Sequence, residues 1–148
     1  MNNKIKNTTT AMTIFAAIHL VFNAIEIIAC LILIYHVTIK YGGVKEVIDV
    51  FSSNDEYAGL SIVFIIIPLI IFPLMIILVL LGYFVIDIVK IRLNIKINRY
   101  LDTNNFKKVS DLSIINLVLC IVSLDIISII LGIIRSIEVK KFTGIQVL

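Results

Sequence analysis

The chain has few charged residues for its length. Of its 148 residues, 16% are charged and 60% are hydrophobic, whereas a soluble domain carries about 25% charged and about 45–50% apolar residues. One core of this size cannot hide so much apolar surface, so an ordinary soluble domain is excluded. The excess must face lipid, and we predict an all-α fold, a polytopic integral membrane helical bundle formed by a single domain over residues 1–148.

Features of enzymes, disulfide-rich proteins and metal proteins are also lacking. The two cysteines, Cys30 and Cys120, each lie in the middle of an apolar segment, so no disulfide framework is expected. There is no GxGxxG, P-loop, HExxH or CxxC motif. His19 and His36 are about 25 Å apart along a helix and cannot share one metal ion. We therefore predict that the protein is not an enzyme and has no cofactor, no metal site and no identifiable small-molecule substrate.

The first apolar segment covers residues 11–37, and crossing a bilayer takes about 20 residues. The apolar region of a signal peptide is only about 7–15 residues long, so we predict an uncleaved span. Residues 38–59 then form an outer loop. Apolar residues recur at helical spacing over residues 44–51, which predicts a short amphipathic helix at the membrane surface. A helical turn packed on the protein's own loops is the alternative.

The second apolar segment, residues 60–89, contains Pro68 and Pro73. Proline kinks a helix, and two crossings would need about 40 residues, so we predict one kinked span. Residues 89–98 then alternate strictly between apolar and polar side chains, as in a half-buried strand. A lone strand next to a membrane helix would have no pairing partner, so we predict that the helix continues. A strand that pairs between subunits is the alternative.

The third apolar segment, residues 112–134, has polar side chains that change sides of the predicted helix. At about 100° per residue, they occupy two opposite faces: Asn116, Cys120 and Ser123 lie on one, and Asp125, Ser128 and Gly132 lie on the other. The change predicts a break near residues 123–125, where Asp125 is a candidate buried carboxylate or helix cap.

Basic residues predict the orientation of the chain, because Lys and Arg are retained on the cytoplasmic side. Residues 90–111 are predicted to be a basic cytoplasmic loop, which puts the N-terminus inside as well. Its cations are candidate contacts to anionic lipid: Lys90, Arg92, Lys96, Arg99, Lys107 and Lys108. The basic C-terminal tail, residues 135–148, conflicts with this orientation if residues 112–134 cross the bilayer. Either the charge bias is overruled there, which we favour, or the third segment is a re-entrant helical hairpin.

Nucleic acid is not an expected partner of this basic loop. Only Tyr100 and Phe106 supply aromatic rings there, which is too few for a stacking platform. Asp87 lies beside Lys90 at the predicted cytoplasmic end of the second span, where both side chains can reach water. We predict no special role for Asp87.

Four polar residues of the first span, His19, Asn23, Glu26 and Cys30, lie on one helix face at i, i+4, i+7 and i+11. Ionisable groups inside a span cost about 2.5–3.5 kcal/mol on insertion scales and are functional candidates. This polar stripe would line a proton or cation path with Glu26 as its titrating centre. Alternatively, it sets the packing register between helices through contacts worth about 0.6 kcal/mol.

The short loops leave little surface for substrate chemistry. We therefore predict a small multi-pass membrane protein that acts as an interaction or accessory subunit, packing in lipid against itself or another membrane protein. The alternative is a small homo-oligomeric ion or proton channel lined by His19, Asn23 and Glu26. Richness in Ile, Lys and Asn is typical of an AT-rich genome, so we predict a prokaryotic plasma membrane.

Overall fold

Helices account for all regular structure in the part of the chain that the computed structural model describes, residues 2–40 and 71–145. This part contains four helices and no strand: α1 (Asn2–Lys40), α2 (Phe72–Asp102), α3 (Phe106–Val122) and α4 (Ile126–Ile145). The predicted all-α class is confirmed for these residues. By length and composition, α1 and α2 are long and apolar enough to cross a membrane, whereas α3 and α4 do not meet the same criteria.

Helix α2 continues through the stretch of alternating apolar and polar residues, as predicted. Within this stretch the buried residues follow helical spacing, since Lys90, Asn94 and Ile97 lie at i, i+4 and i+7 on one face of the helix. A strand would have had no neighbour to pair with. The loop predicted over residues 90–111 is corrected by this finding, since only residues 103–105 interrupt the helices there.

The third apolar segment breaks between α3 and α4 and does not form one continuous helix. The two helices pack against each other, and Leu117 of α3 meets Gly132 of α4 while Phe106 meets Phe142, so they run antiparallel as a hairpin. Residues 112–134 therefore do not form the single long helix that one crossing would need, whereas the break predicted near residues 123–125 is present. The physical reason is local, since the chain reverses direction in a three-residue turn.

The turns that join α2 to α3 and α3 to α4 have the same construction. Each has one residue with left-handed backbone, Asn104 (φ 53°) and Leu124 (φ 52°). The next amide donates back to the preceding helix, from Asn105 N at 2.9 Å and from Asp125 N at 3.1 Å. This is the Schellman arrangement, which satisfies carbonyls that a helix end leaves unpaired. Side-chain oxygens of Asn105 and Asp125 then cap the following helix.

The chain divides into two compact units, which we describe separately. The terminal unit consists of Met1–Phe22 and Tyr83–Leu148 and contains the start of α1, the end of α2, and the α3–α4 hairpin. An apolar cluster forms the core at one end of this unit: Ile5, Ile97, Leu101, Phe106, Val109 and Val139. The ring of Phe142 stacks on that of Phe106, with centroids 4.9 Å apart.

Ion pairs bring the N-terminus, the α2–α3 turn and α4 to this same end of the terminal unit. Lys6 Nζ lies 3.2 Å from Asp102 Oδ1, and Lys4 Nζ lies 3.0 Å from Glu138 Oε1. The hydrogen bond from Lys4 lowers the pKa of Glu138 below its ordinary value. The Lys4 and Glu138 pair therefore stabilises the contact between α1 and α4 while the carboxylate is ionised.

The central unit, Asn23–Gly82, is described over the end of α1 and the start of α2. Most of its described side chains are apolar and exposed, whereas Asn23 is buried within it. Pro73 lies in the first turn of α2, where the missing amide hydrogen is tolerated. The kink predicted at Pro68 and the amphipathic helix predicted over residues 44–51 lie outside the described residues.

Candidate functional site: a buried ion network

Beside its apolar core, the terminal unit buries several polar side chains and exposes many large apolar ones. Polar side chains that are at most 1% exposed include Asp87, Lys90, Asn94, Asn116 and Arg135. On the surface, Leu124 and Ile126 at the α3–α4 turn are 73% and 71% exposed. Water-soluble proteins bury their large apolar residues and expose their charges, whereas helices in lipid turn polar groups toward the bundle interior.

Lys90 is the centre of the buried network. Its Nζ lies 2.7 Å from Asp87 Oδ1 and 3.2 Å from Asp125 Oδ2, and donates to Ser123 Oγ at 3.2 Å. The contacts with Ser123 and Asp125 are hydrogen bonds, and the contact with Asp87 is an ion pair. Asp87 and Lys90 come from one turn of α2, and Ser123 and Asp125 come from the α3–α4 turn. The ion triad, by which we mean Asp87, Lys90 and Asp125, therefore fixes the tip of the hairpin to α2.

His19 extends the ion triad to the surface of the terminal unit. Its Nδ1 lies 2.7 Å from Asp87 Oδ2. The imidazole side chain is 37% exposed, whereas the Asp87 side chain is 0% exposed. His19 is thus the part of this network that lies nearest the surface of the unit.

A second polar layer lies one helical turn from Lys90 along α2. Asn94 Oδ1 accepts hydrogen bonds from Asn116 Nδ2 of α3 and from Arg135 Nη1 of α4, the latter at 2.8 Å. One amide oxygen thus joins three helices. All three side chains are at most 1% exposed, so this layer adds buried polar contacts to the apolar packing between the three helices.

The residues of the predicted polar stripe have different surroundings. His19 contacts the ion triad, Asn23 is buried in the central unit, Cys30 is half-buried and Glu26 is exposed. Among the described residues, no hydrogen bond or ion pair involves Glu26. The expected titrating centre of the stripe thus has no described partner, while His19 has one that the sequence did not indicate.

Most of the cations predicted to contact anionic lipid are exposed: Arg92, Lys96, Arg99, Lys107 and Lys108. Lys90 is 1% exposed and belongs to the ion triad, so its assignment as a lipid contact is corrected. The expectation that Asp87 and Lys90 both reach water is wrong for the same reason. Burying the charge of Asp87 or of Lys90 alone is very costly. With the two charged groups 2.7 Å apart, their mutual attraction offsets much of that cost.

Sequence reasoning missed Asp87, Asn94 and Arg135 as parts of a polar interior. A signal was present on α2, because Asp87, Lys90 and Asn94 lie at i, i+3 and i+7 on one helix face. Arg135 was assigned to the C-terminal tail because it follows the last long apolar run. Helix α4 continues past it to Ile145, so Arg135 lies near the middle of a helix.

Within the described residues, no group of three His, Cys, Asp or Glu side chains is placed to hold a metal ion. The chain matches no known family model, and comparisons with curated proteins and with solved structures give no match either. Its function thus has to follow from the chemistry of its own residues.

Proposed function

We propose that α1 and α2 cross a membrane and that the α3–α4 hairpin enters the same membrane and returns. The tip of the hairpin supports this topology, because Leu124 and Ile126 are apolar and highly exposed. Backbone groups at membrane depth must be satisfied by the protein itself. The Schellman hydrogen bonds and the Asp125 cap meet that requirement at the tip.

This topology removes the conflict in the charge pattern. The ion pairs of Lys4 and Lys6 hold the N-terminus beside the α2–α3 turn and the basic end of α4, which carries Lys140 and Lys141. All three basic regions then lie on one side of the membrane, and by the positive-inside rule that side is the cytoplasm. We place the protein in a prokaryotic plasma membrane, with its exposed cations against anionic lipid.

Labelling of Gly144→Cys tests the topology, because a Cβ at Gly144 meets no atom within 4 Å. In a background with both native cysteines replaced by alanine, we expect a membrane-impermeant maleimide to label Gly144→Cys and Asn3→Cys from the same side. Labelling from opposite sides contradicts the hairpin and favours a third crossing.

We further propose that the protein is an interaction or accessory subunit that packs in the bilayer against a second copy or another membrane protein. Glu26 carries this proposal. It is an exposed carboxylate on α1, and only 6% of the most apolar 18-residue stretch of α1 is buried within the protein. A charged group facing lipid costs about 2.5–3.5 kcal/mol on insertion scales, and donors on a partner helix reduce that cost.

Cys30 offers a native probe of this interface, because it lies one helical turn from Glu26 on the same face. If a second copy is the partner, mild oxidation in membranes gives a dimer linked through Cys30. If another protein is the partner, native mass spectrometry in mild detergent shows a heavier mixed complex. Glu26→Leu weakens either assembly, whereas Ile28→Leu on the opposite face is a neutral control. A stable monomer without partner in mild detergent overturns the proposal.

A second candidate function, a proton or ion pathway, is favoured by the contact between His19 and Asp87. This pathway would pass from His19 to the ion triad and would bypass Glu26. In proteoliposomes, Asp87→Asn is then expected to reduce proton flux at least about tenfold, since it removes the ionised carboxylate, while Glu26→Gln and the exposed control Lys96→Gln preserve it. Flux that survives in Asp87→Asn excludes this pathway.

A further inference from the structure

Arg135 is a buried cation whose charge has no close counterpart. Its side chain is 0% exposed and is the largest fully buried side chain among the described residues. Nη1 donates to Asn94 Oδ1 at 2.8 Å, whereas Nε and Nη2 are buried without a hydrogen-bond partner. In the described part of the chain, no ion pair includes Arg135.

The carboxylates nearest to Arg135 in sequence are committed elsewhere. Glu138 pairs with Lys4 and Lys141, and Asp125 pairs with Lys90. Asp87, the other carboxylate of the ion triad, lies 2.7 Å from both Lys90 and His19. None of these ion pairs includes Arg135.

Neutral polar groups are also buried without a hydrogen-bond partner in the terminal unit. Asn94 Oδ1 already accepts from both Arg135 and Asn116, while Asn94 Nδ2 is buried with no partner. The hydroxyls of Ser113 and Ser136 are buried and unpaired as well. Asn98 Oδ1, on the next turn of α2, is also an unpaired acceptor, but like the hydroxyls it is neutral and cannot compensate the charge.

A buried guanidinium with two unpaired donor nitrogens requires an acceptor that also carries negative charge. A neutral water molecule can accept these hydrogen bonds, but it leaves the charge uncompensated in a low-dielectric interior. The guanidinium itself stays protonated in proteins. Because the side chain is fully enclosed, an anion that reaches it must be small.

We propose that Arg135, together with the Asn94 amide, binds a small monovalent inorganic anion of the size of chloride inside the terminal unit. The anion accepts from Arg135 Nε and Nη2 and from Asn94 Nδ2. It neutralises the guanidinium of Arg135, which is buried without a carboxylate partner among the described residues. This site is independent of any partner on α1 and of any path through His19.

Thermal unfolding of the purified full-length protein at constant ionic strength tests the site, with sodium chloride exchanged stepwise for sodium gluconate. Gluconate is too large to enter an enclosed site. We expect a saturable rise in Tm, about 5–10 °C at a hundredfold excess of chloride over its Kd. Arg135→Gln loses this dependence, whereas Arg92→Gln, an exposed cation on α2, keeps it.

Coinciding chloride and gluconate curves in the wild type overturn the proposal. A chloride effect of equal size in Arg135→Gln also overturns it, because the ion is then adventitious. Should Arg135→Gln fail to fold, a bromide soak of wild-type crystals decides the matter. An anomalous peak within about 4 Å of the Arg135 guanidinium supports the site, and the lack of one refutes it.

Discussion

Replacing Lys90 with methionine is the most demanding test of the buried ion network. Methionine keeps the unbranched shape but removes the charge, so the fully buried Asp87 and the nearby Asp125 lose an ammonium at 2.7 and 3.2 Å. Removing one partner of a buried ion pair costs about 3–5 kcal/mol, because the remaining charge is left uncompensated. Lys90 serves two carboxylates, so we expect a loss in the upper part of this range. A domain is stable by only about 5–15 kcal/mol.

The free energy of unfolding can be measured by titrating SDS into the protein in bicelles and following helical circular dichroism. Lys96→Met, at an exposed position of α2, should change that free energy by less than about 0.5 kcal/mol. Adding Asp87→Leu to Lys90→Met should recover about 1–3 kcal/mol, because an apolar pair then replaces a buried carboxylate that has lost its ammonium partner. The reasoning is refuted if Lys90→Met lies within about 1 kcal/mol of the wild type, or if Asp87→Leu deepens the loss.

Three further predictions concern the turn, the hairpin packing and the termini. Leu124 has a left-handed backbone (φ 52°), which glycine adopts without strain. Leu124→Gly should therefore raise the free energy of unfolding by up to about 1 kcal/mol in the same SDS titration, whereas Leu124→Ala should not. Equal effects of the two substitutions would contradict this. Gly132→Leu should lower the free energy of unfolding by about 1–3 kcal/mol, because even a Cβ there lies 2.9 Å from Leu117 Cδ1. Added Leu117→Ala should restore part of that loss, and no rescue would argue against this contact. The lowered pKa of Glu138 means that its stabilising effect is complete above the ordinary value of 4.5 and is lost as pH falls through the lower folded value. Tm should therefore fall less between pH 5 and pH 3 in Lys4→Ala than in the wild type, and parallel curves would refute the link.

Several elements of the fold were predictable because their causes are local. The break near Asp125 follows from a polar face that changes sides and from a side chain suited to capping. The continuation of α2 follows from the lack of any partner for a strand. The reversal of the chain between α3 and α4 was harder to predict, because the length of residues 112–134 counted in favour of a crossing. The left-handed residue that reverses the chain, Leu124, has no signature in a sequence where glycine or asparagine would be expected.

The candidate site was less predictable than the fold. Glu26 and His19 attracted attention because each stands out in an apolar run, yet only His19 meets an ionised partner among the described residues. Asp87 and Lys90 were discounted because their position near a helix end allowed them to reach water. Their burial depends on the hairpin tip lying over them, and that contact joins residues 35 apart in sequence.

The sequence by itself determined that the described part of this chain is helical, that its composition is more apolar than that of an ordinary soluble domain, and where its last apolar segment bends. These properties depend on composition, periodicity and turn chemistry, which act within a few residues. Tertiary structure alone decided which polar groups meet inside the terminal unit, such as Arg135 with Asn94, 41 residues apart. These contacts depend on how each packed helix is rotated about its axis and on which helices are neighbours. Both are decided by side chains from distant segments of the chain, which no local sequence pattern relates to one another.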